Sequence, residues 1–173
     1  GGGTRAGRGA GRAGGKRGAA AGATGVGGAS GTRWAGAAAA RSVNPERLSL
    51  DRRGLAACPV LEGEEQLRML NLESNMITRV TRLGHLPRLI FLDLYNNRLT
   101  EVSGLAALPS LRVLMLGKNQ LRRVANLRCL DQLDVCDLHS NMLTDLDGLP
   151  RNLRVLNVSA NRLRAVRNLD GMP

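Results

Sequence analysis

From Leu67 onward, aliphatic residues recur at fixed intervals with polar residues between them. Each unit reads Leu-x-x-Leu-x-Leu-x-x-Asn in outline, and its closing asparagine follows the previous one by 22 residues, or by 20 in the last unit. Apolar residues alternate with other residues around the second leucine, which predicts a short β-strand in each unit. The closing asparagines are Asn75, Asn97, Asn119, Asn141 and Asn161.

The length of the unit limits how the chain can return from one strand to the next. A unit of 22 residues has room for a strand and a 3₁₀ segment, but not for a long helix. We therefore predict an α/β repeat fold, a leucine-rich-repeat solenoid. Its short parallel sheet would line the concave face, and turns or 3₁₀ segments would form the convex face. The asparagine amides are predicted to satisfy backbone groups of buried turns, a structural role.

The pattern divides the chain into three segments. Residues 1–45 are rich in Gly, Ala and Arg, and we predict a disordered tail because so little apolar surface cannot offset the entropy cost of ordering. Residues 46–66 keep the phase of the repeats but carry Arg53 in place of the asparagine, as expected of an N-terminal capping half-repeat. Residues 67–173 contain five leucine-rich repeats, and we expect a fragment that is truncated at its C-terminus.

Charge is concentrated in the tail. Up to Arg47 the chain has eight Lys/Arg and one Glu, a net charge of +7, whereas the remainder carries +4. A basic Gly/Arg segment can attract RNA or another polyanion, but Trp34 alone does not supply the aromatic interleaving of RNA-binding segments. Nucleic acid is therefore an alternative partner and not the expected one.

The apolar runs and the cysteines bear on the compartment. No run approaches the roughly 18 apolar residues of a membrane span, so no membrane partner is expected. The three cysteines, Cys58, Cys129 and Cys136, are scattered and odd in number, which favours a reducing compartment. The phase of the repeats places Cys58 and Cys136 in the core, as inert buried thiols.

Strand positions that face away from the core remain available for function. The only Phe and the only Tyr of the chain, Phe91 and Tyr95, are predicted to share one strand, with Met115 beside them. Large apolar groups with a polar margin are typical of interface hot spots. The alternative is that apolar residues at these positions pack along the sheet. The predicted partner-binding residues of the concave face are Met69, Phe91, Asp93, Tyr95, Met115, Asp137 and His139.

A second candidate surface is a basic edge just past the strands. Such an edge could meet an acidic partner, although solvated charges are common on repeat surfaces. Its predicted members are Arg98, Lys118, Arg122, Arg123, Arg162 and Arg164.

Catalysis finds little support in the sequence. There is no Ser/His/Asp triad motif, no cluster with metal-ligand spacing and no phosphate-binding loop. Asp93, Asp137 and His139 could approach one another across strands, but an open face without a pocket is weak evidence for an active site. We predict a protein that is not an enzyme and that uses no cofactor, metal or small-molecule substrate.

The unit formula over residues 67–173 resembles the class of leucine-rich repeats named after a nuclear phosphatase regulator. In full it reads Leu-x-x-Leu-x-Leu-x-x-Asn-x-Ile/Leu-x-x-Val-x-x-Leu. The resemblance implies intracellular protein–protein binding, in a class that includes ciliary, axonemal and microtubule-associated adaptors.

The repeat formula does not fix every residue, and some of the others indicate a narrower group of similar proteins. Arg52-Arg53 and Cys58-Pro59 of the capping unit, with Leu92-Asp93-Leu94-Tyr95 and Leu116-Gly117-Lys118-Asn119, are similar to leucine-rich-repeat subunits of the tubulin polyglutamylase complex. This implies a non-catalytic scaffold that helps a separate ligase subunit add glutamates to tubulin tails.

The resemblance implies partners and a location as well. Other polyglutamylase subunits and tubulin are the expected partners, on cytoplasmic microtubules, with the centrosome or cilium as candidate sites. One alternative is a phosphatase-regulator-like or ciliary adaptor that uses the same concave face. Another is a protein that binds RNA or polyanions through its basic tail.

Overall fold

The computed structural model describes residues 44–124 and 126–164. Within these ranges, short strands form one parallel sheet in chain order, and a 3₁₀ helix, Leu105–Ala107, lies in the returning half of one unit. The predicted leucine-rich-repeat solenoid is confirmed. The strands are β1 (Arg47–Ser49), β2 (Met69–Asn71), β3 (Phe91–Asp93), β4 (Val113–Met115), β5 (Val135–Asp137) and β6 (Val155–Asn157).

The period of the sequence sets the register of the sheet. Leu92 of β3 pairs with Leu70 on one side and with Leu114 on the other, each 22 residues away along the chain. The shorter last unit keeps the same register, since Cys136 of β5 pairs with Leu156 of β6. Equivalent residues of successive units therefore form straight rows across the solenoid.

The core lies behind the sheet and is almost entirely aliphatic. Because side chains alternate between the two faces of a strand, the middle residue of β2, β3, β4 and β5 is fully buried while its neighbours are half exposed. Cys136 takes the place of leucine in β5, and burial raises the pKa of its thiol to about 12. Burial also raises the pKa of Cys58. Both cysteines are buried core residues, as the repeat phase predicts.

The asparagines hold the turns of neighbouring units together. Nδ2 of Asn119 donates to the carbonyl oxygens of Leu94 and Leu116 at 2.9 and 3.0 Å. Its Oδ1 accepts the backbone N–H of Leu99 at 2.9 Å. Each asparagine thus satisfies backbone groups of its own unit and of the preceding one. The same pattern recurs at Asn75, Asn97, Asn141 and Asn161, of which Asn161 is less buried than the others.

The first rung of the solenoid uses the asparagine of the next unit. The backbone N–H groups of Arg53 and Leu55 both donate to Oδ1 of Asn75 at 3.0 Å. As in the later units, this bond comes from the asparagine of the following unit, so the first turn has this hydrogen bond although residue 53 is an arginine. No helix in the described part of the chain is long and apolar enough to cross a membrane. Most of the predicted disordered tail and the end of the fifth repeat lie outside the described residues.

Candidate protein-binding surface

Strand β3 and the two residues after it present an alternating row to the concave face, which we define as the sheet surface opposite the core. Tyr95, predicted to share the strand with Phe91, lies two residues past the end of that strand. Phe91, Asp93 and Tyr95 are half exposed there, whereas Leu92 and Leu94 between them are fully buried. Met69 of β2 pairs with Phe91, and Met115 of β4 pairs with Asp93. The structure therefore brings these predicted concave residues together.

Gly117 allows two rings from different units to meet on this face. It lies between Tyr95 and His139, whose ring centroids are 5.6 Å apart at an interplanar angle of 37°. A Cβ atom at residue 117 would lie 2.5 Å from Cε1 of His139 and 3.1 Å from Cδ2 of Tyr95. A side chain at this position would force at least the histidine ring to move.

Gly117 is not among the predicted site residues. The signal in the sequence was a glycine at a concave position whose equivalents in both neighbouring units carry a ring. The steric effect of this glycine depends on the directions of the Tyr95 and His139 side chains, and the spacing of residues in the sequence does not give those directions.

Asp137 holds the imidazole of His139 in place. Nδ1 of His139 lies 2.8 and 2.9 Å from the two carboxylate oxygens, and its backbone N–H donates to Oδ1 at 3.0 Å. An ionised carboxylate only accepts hydrogen bonds, so Nδ1 carries a proton and Nε2 is directed away from Asp137. The Asp137 side chain is only 13% exposed, so this carboxylate is largely occupied within the protein.

Asp93 carries a second carboxylate on this face, two units before Asp137. Its Oδ1 accepts the backbone N–H of Tyr95 at 2.9 Å. Burial raises the pKa of Asp93, the Tyr95 hydrogen bond opposes that rise, and the nearby charges of Glu73 and Asp137 add to it. The centre of the concave face is therefore an apolar surface with a concentration of negative charge.

Lys118 belongs to the concave face rather than to a separate basic edge. The backbone turns directly after Gly117, and Lys118 has a left-handed φ of 51°. Its Nζ lies 5.3 Å from the centroid of the Tyr95 ring, within cation–π distance. The ammonium therefore covers one face of Tyr95.

The arginines of the predicted basic edge occupy three different rows of equivalent positions. Equivalent positions form rows, and Arg98 and Arg162 stand in one row with a glutamine and a methionine between them. Arg122 and Arg164 stand in another row with a threonine between them. Strands about 4.8 Å apart place members of these pairs roughly 10 Å or more from each other.

Arg123 lies in a row of alternating charge. Its neighbours at the equivalent positions are Glu101 and Asp145, and Nε of Arg79 lies 3.8 Å from Glu101 in the same row. Positive charge at Arg123 is therefore opposed on both sides. The row carries charges of alternating sign, of which Arg79 and Glu101 lie within ion-pair distance, and an exposed pair of this kind contributes little stability.

The titratable side chains of the concave face include one close carboxylate–imidazole pair. Across residues 44–124 and 126–164, no group of three or more His, Cys, Asp or Glu side chains is placed to hold a metal ion. The Asp137–His139 pair orients an imidazole on an open surface.

Sequence comparison supports the repeat assignment. Residues 65–107 and 87–130 match the family model described as leucine rich repeats (2 copies). Together with the stacked parallel strands and the asparagine ladder, these matches identify leucine-rich repeats over residues 65–130. Proteins with such repeats are typically non-catalytic scaffolds that bind other proteins.

Two curated relatives match part of the chain. Leucine-rich repeat-containing protein 49 of Mus musculus is 48% identical over 51 residues, which are 30% of this chain and 7% of that protein. The Homo sapiens protein of the same name is 47% identical over 47 residues, or 27% of this chain and 7% of the relative. The matches thus cover a small part of the relatives' length.

Solved structures share the solenoid over a longer stretch. A leucine-rich-repeat domain of a Shigella effector has a TM-score of 0.60 and 28% identity, covering 70% of this chain and 52% of that one. An internalin of Listeria monocytogenes has a TM-score of 0.55 and 27% identity, covering 62% of this chain and 34% of that one. These likenesses agree with the architecture described above.

Proposed function

We propose that this chain is a non-catalytic scaffold that captures a protein partner on its concave face through Phe91, Tyr95 and Met115. The observation that carries the proposal is the convergence of these half-exposed side chains on β3, the two residues after it and β4, with Asp93 among them and His139 beside Tyr95. Covering such groups with a partner removes apolar surface from water at about 25 cal/mol per Å². Aromatic anchors with a polar rim are the usual centre of a protein interface.

The most exposed large hydrophobic side chains in the described part of the chain do not form such a cluster. Among the described residues, the large hydrophobic side chains with the greatest exposure are Met76, at 40%, and Val155, at 55%. Met76 lies in the turn after β2 and Val155 lies on β6, so they are well separated along the solenoid. Isolated apolar side chains are ordinary on a surface, whereas a cluster needs an explanation.

In its narrower form, we propose a role in an assembly that polyglutamylates tubulin. The partners would be other subunits of that assembly and tubulin, on cytoplasmic microtubules, and a separate subunit would carry out the ligase reaction. The support is the resemblance of residues outside the repeat formula, Arg52-Arg53 and Cys58-Pro59, which lie in and just after the turn that follows β1.

Affinity capture from extracts of ciliated or neuronal cells, with the full chain as bait, tests both the scaffold function and the narrower role in tubulin polyglutamylation. We expect the wild type to recover polyglutamylase subunits and tubulin, and Phe91→Ala/Tyr95→Ala to lose them with its melting temperature nearly unchanged. Met76→Ala is the matched control, because it removes an exposed apolar side chain outside the concave face.

The possible results distinguish the scaffold function from the narrower role in tubulin polyglutamylation. Equal capture by the double variant and the wild type would remove the concave face from the proposal. Recovery of other proteins that depends on Phe91 and Tyr95, without polyglutamylase subunits, would leave the scaffold and refute the narrower role. A phosphatase among those proteins would favour the adaptor alternative.

A further inference from the structure

We propose that the concave face selects a partner segment that presents a basic side chain, arginine or lysine, to Asp93. This inference rests on the proposed scaffold function and specifies the chemistry of the partner. It is carried by the contacts of Asp93, by the charges around it and by the apolar groups that flank it.

The fold does not require a carboxylate at residue 93. Its bond to the backbone N–H two residues later is also made by asparagines in other units. Asn71 accepts the N–H of Glu73 at 2.8 Å, and Asn157 accepts that of Ser159 at 3.2 Å. A neutral amide is therefore sufficient for the turn, and the negative charge of Asp93 contributes nothing further to it.

The charge of Asp93 is also not neutralised within the described part of the chain. No salt bridge there involves Asp93, whereas Asp137 contacts His139 at 2.8 Å and Asp134 contacts Arg112 at 3.8 Å. Glu73 adds to the negative potential at Asp93. A cation placed here would meet an unmatched carboxylate that is already half removed from water.

The flanking groups suit the long stem of a basic side chain. Phe91 and Tyr95 stand on either side of Asp93 along the same face of the chain, and Met115 pairs with Asp93 across the sheet. Lys and Arg bury their methylene stems against apolar surface while the charged end meets a carboxylate. Because Lys118 already lies over Tyr95, the Phe91 ring is the aromatic group that remains for an incoming cation.

The same arrangement disfavours an acidic partner at this place. An acidic segment would bring like charge to Asp93, Glu73 and Asp137. Lys118, the cation of this face, lies over Tyr95, and Arg123 is flanked by Glu101 and Asp145 at the equivalent positions of neighbouring units. The centre of the concave face is therefore complementary to a segment that alternates apolar and basic residues.

The first experiment selects short random peptides, displayed on phage, on the immobilised full chain. We expect peptides bound by the wild type to be enriched in Arg or Lys next to apolar residues, and the enrichment to disappear on Asp93→Asn. Asp134→Asn is the matched control, since it makes the same conservative change on the neighbouring rim, where Asp134 pairs with Arg112. It should keep the enrichment.

A second measurement isolates the pair of charges. The Kd of a selected peptide is compared with that of its norleucine version, on the wild type and on Asp93→Asn. Loss of a charge-assisted hydrogen bond should weaken the basic peptide by about tenfold or more on Asp93→Asn. The norleucine peptide should bind both proteins alike, so that the two changes are coupled.

Each remaining outcome has a definite meaning. Failure to select peptides, or selection without basic residues, overturns the inference, and so does equal binding of the basic peptide by Asp93→Asn. If peptides without basic residues still require Phe91 and Tyr95, the scaffold function stands and only the chemistry of the partner is wrong. If selected basic peptides bind normally to Phe91→Ala/Tyr95→Ala, the proposal that these two aromatic side chains bind the partner is wrong.

Discussion

The two faces of the sheet follow different rules, although the same strands form both. Facing the core, the middle residue of successive strands β2 to β6 is leucine in every unit except β5, where Cys136 takes its place. One residue later, on the concave face, the series reads Asn71, Asp93, Met115, Asp137 and Asn157. The inner face must repeat because each unit packs on its neighbours, which leaves the outer face free to differ from unit to unit.

Thiol chemistry gives the largest expected contrast between inside and outside. Cys136 is fully buried with a pKa raised to about 12, whereas Cys129 is exposed. Because the thiolate is the reactive form, we expect a maleimide at neutral pH to modify Cys129 at least about a thousandfold faster than Cys136. Mass spectrometry of the native and the urea-unfolded protein measures this. Native Cys129→Ser should take up almost no label, and rapid labelling of that variant would show that the core opens readily.

Paired substitutions on β4 compare the faces in free energy of unfolding. Leu114→Ala removes a fully buried side chain and should cost about 3 kcal/mol, within the usual range for buried leucines. Met115→Ala, the adjacent residue on the concave face, should cost less than about 1 kcal/mol. Urea denaturation of both variants provides the comparison. A larger loss for Met115→Ala would mean that the concave cluster is part of the core.

The asparagine row tests how the inner face depends on position along the solenoid. Asn119→Ala leaves the N–H of Leu99 and the carbonyl of Leu94 without their partner in a buried turn, at a cost of about 2–3 kcal/mol. Asn161 makes equivalent bonds but is half exposed, so water can replace them and Asn161→Ala should cost about 1 kcal/mol. Equal losses in thermal melts would contradict this gradient.

The inner face could be predicted from the sequence because it depends only on period. Leucines at fixed spacing gave the strands, their register and the buried rows, and the position of each asparagine in its unit gave its place in a turn. The short 3₁₀ helix at Leu105–Ala107 was covered only by a general expectation of turns or 3₁₀ segments. Which unit forms it depends on local packing that no residue period expresses.

The concave face was predictable as a set of residues but not as a site. Spacing placed Phe91 and Tyr95 on one side of the chain, but the contact of two rings over Gly117 depends on side-chain directions in three units. The hydrogen bond from the backbone of Tyr95 to Asp93 assigns that residue a turn role that a count of charges does not reveal. The expectation of a basic edge combined residues by type, and the solenoid places them at different positions of the repeat unit, so the edge stays a prediction.

Hydrogen exchange should show that the last described rung is weaker than the middle of the solenoid. Val155 of β6 is 55% exposed and Leu156 is only half buried, in contrast to the fully buried Leu114 of β4. We expect amides in residues 153–164 to exchange at least about tenfold faster than those in 89–124. Peptide-resolved mass spectrometry measures both ranges in one sample. Equal protection would show that the final rung is stabilised as well as the central ones.

Asp93→Asn should produce the smallest change in the free energy of unfolding. We expect a gain in stability, whereas substitutions on the core face should cause a loss. Burial raises the pKa of Asp93 in the folded protein above its ordinary value of 3.8, so the folded state binds that proton more tightly than the unfolded chain does. The charge therefore destabilises the fold at neutral pH, and this penalty declines as the pH falls through the raised pKa and is absent below 3.8. Since asparagine can keep the bond to Tyr95, Asp93→Asn should gain stability at pH 7, by less than about 1 kcal/mol after solvent screening.

Urea denaturation at pH 7 and at pH 3.5 measures this difference, with Asp134→Asn as the control on an exposed ion pair. The gain for Asp93→Asn should vanish at the lower pH, where the wild-type carboxyl is also neutral. A loss of stability at pH 7 would mean that the fold itself needs the carboxylate. The charge of Asp93 would then be no evidence for a basic partner. A gain in stability combined with weaker binding of a basic peptide would show that the concave face retains a destabilising charge for recognition.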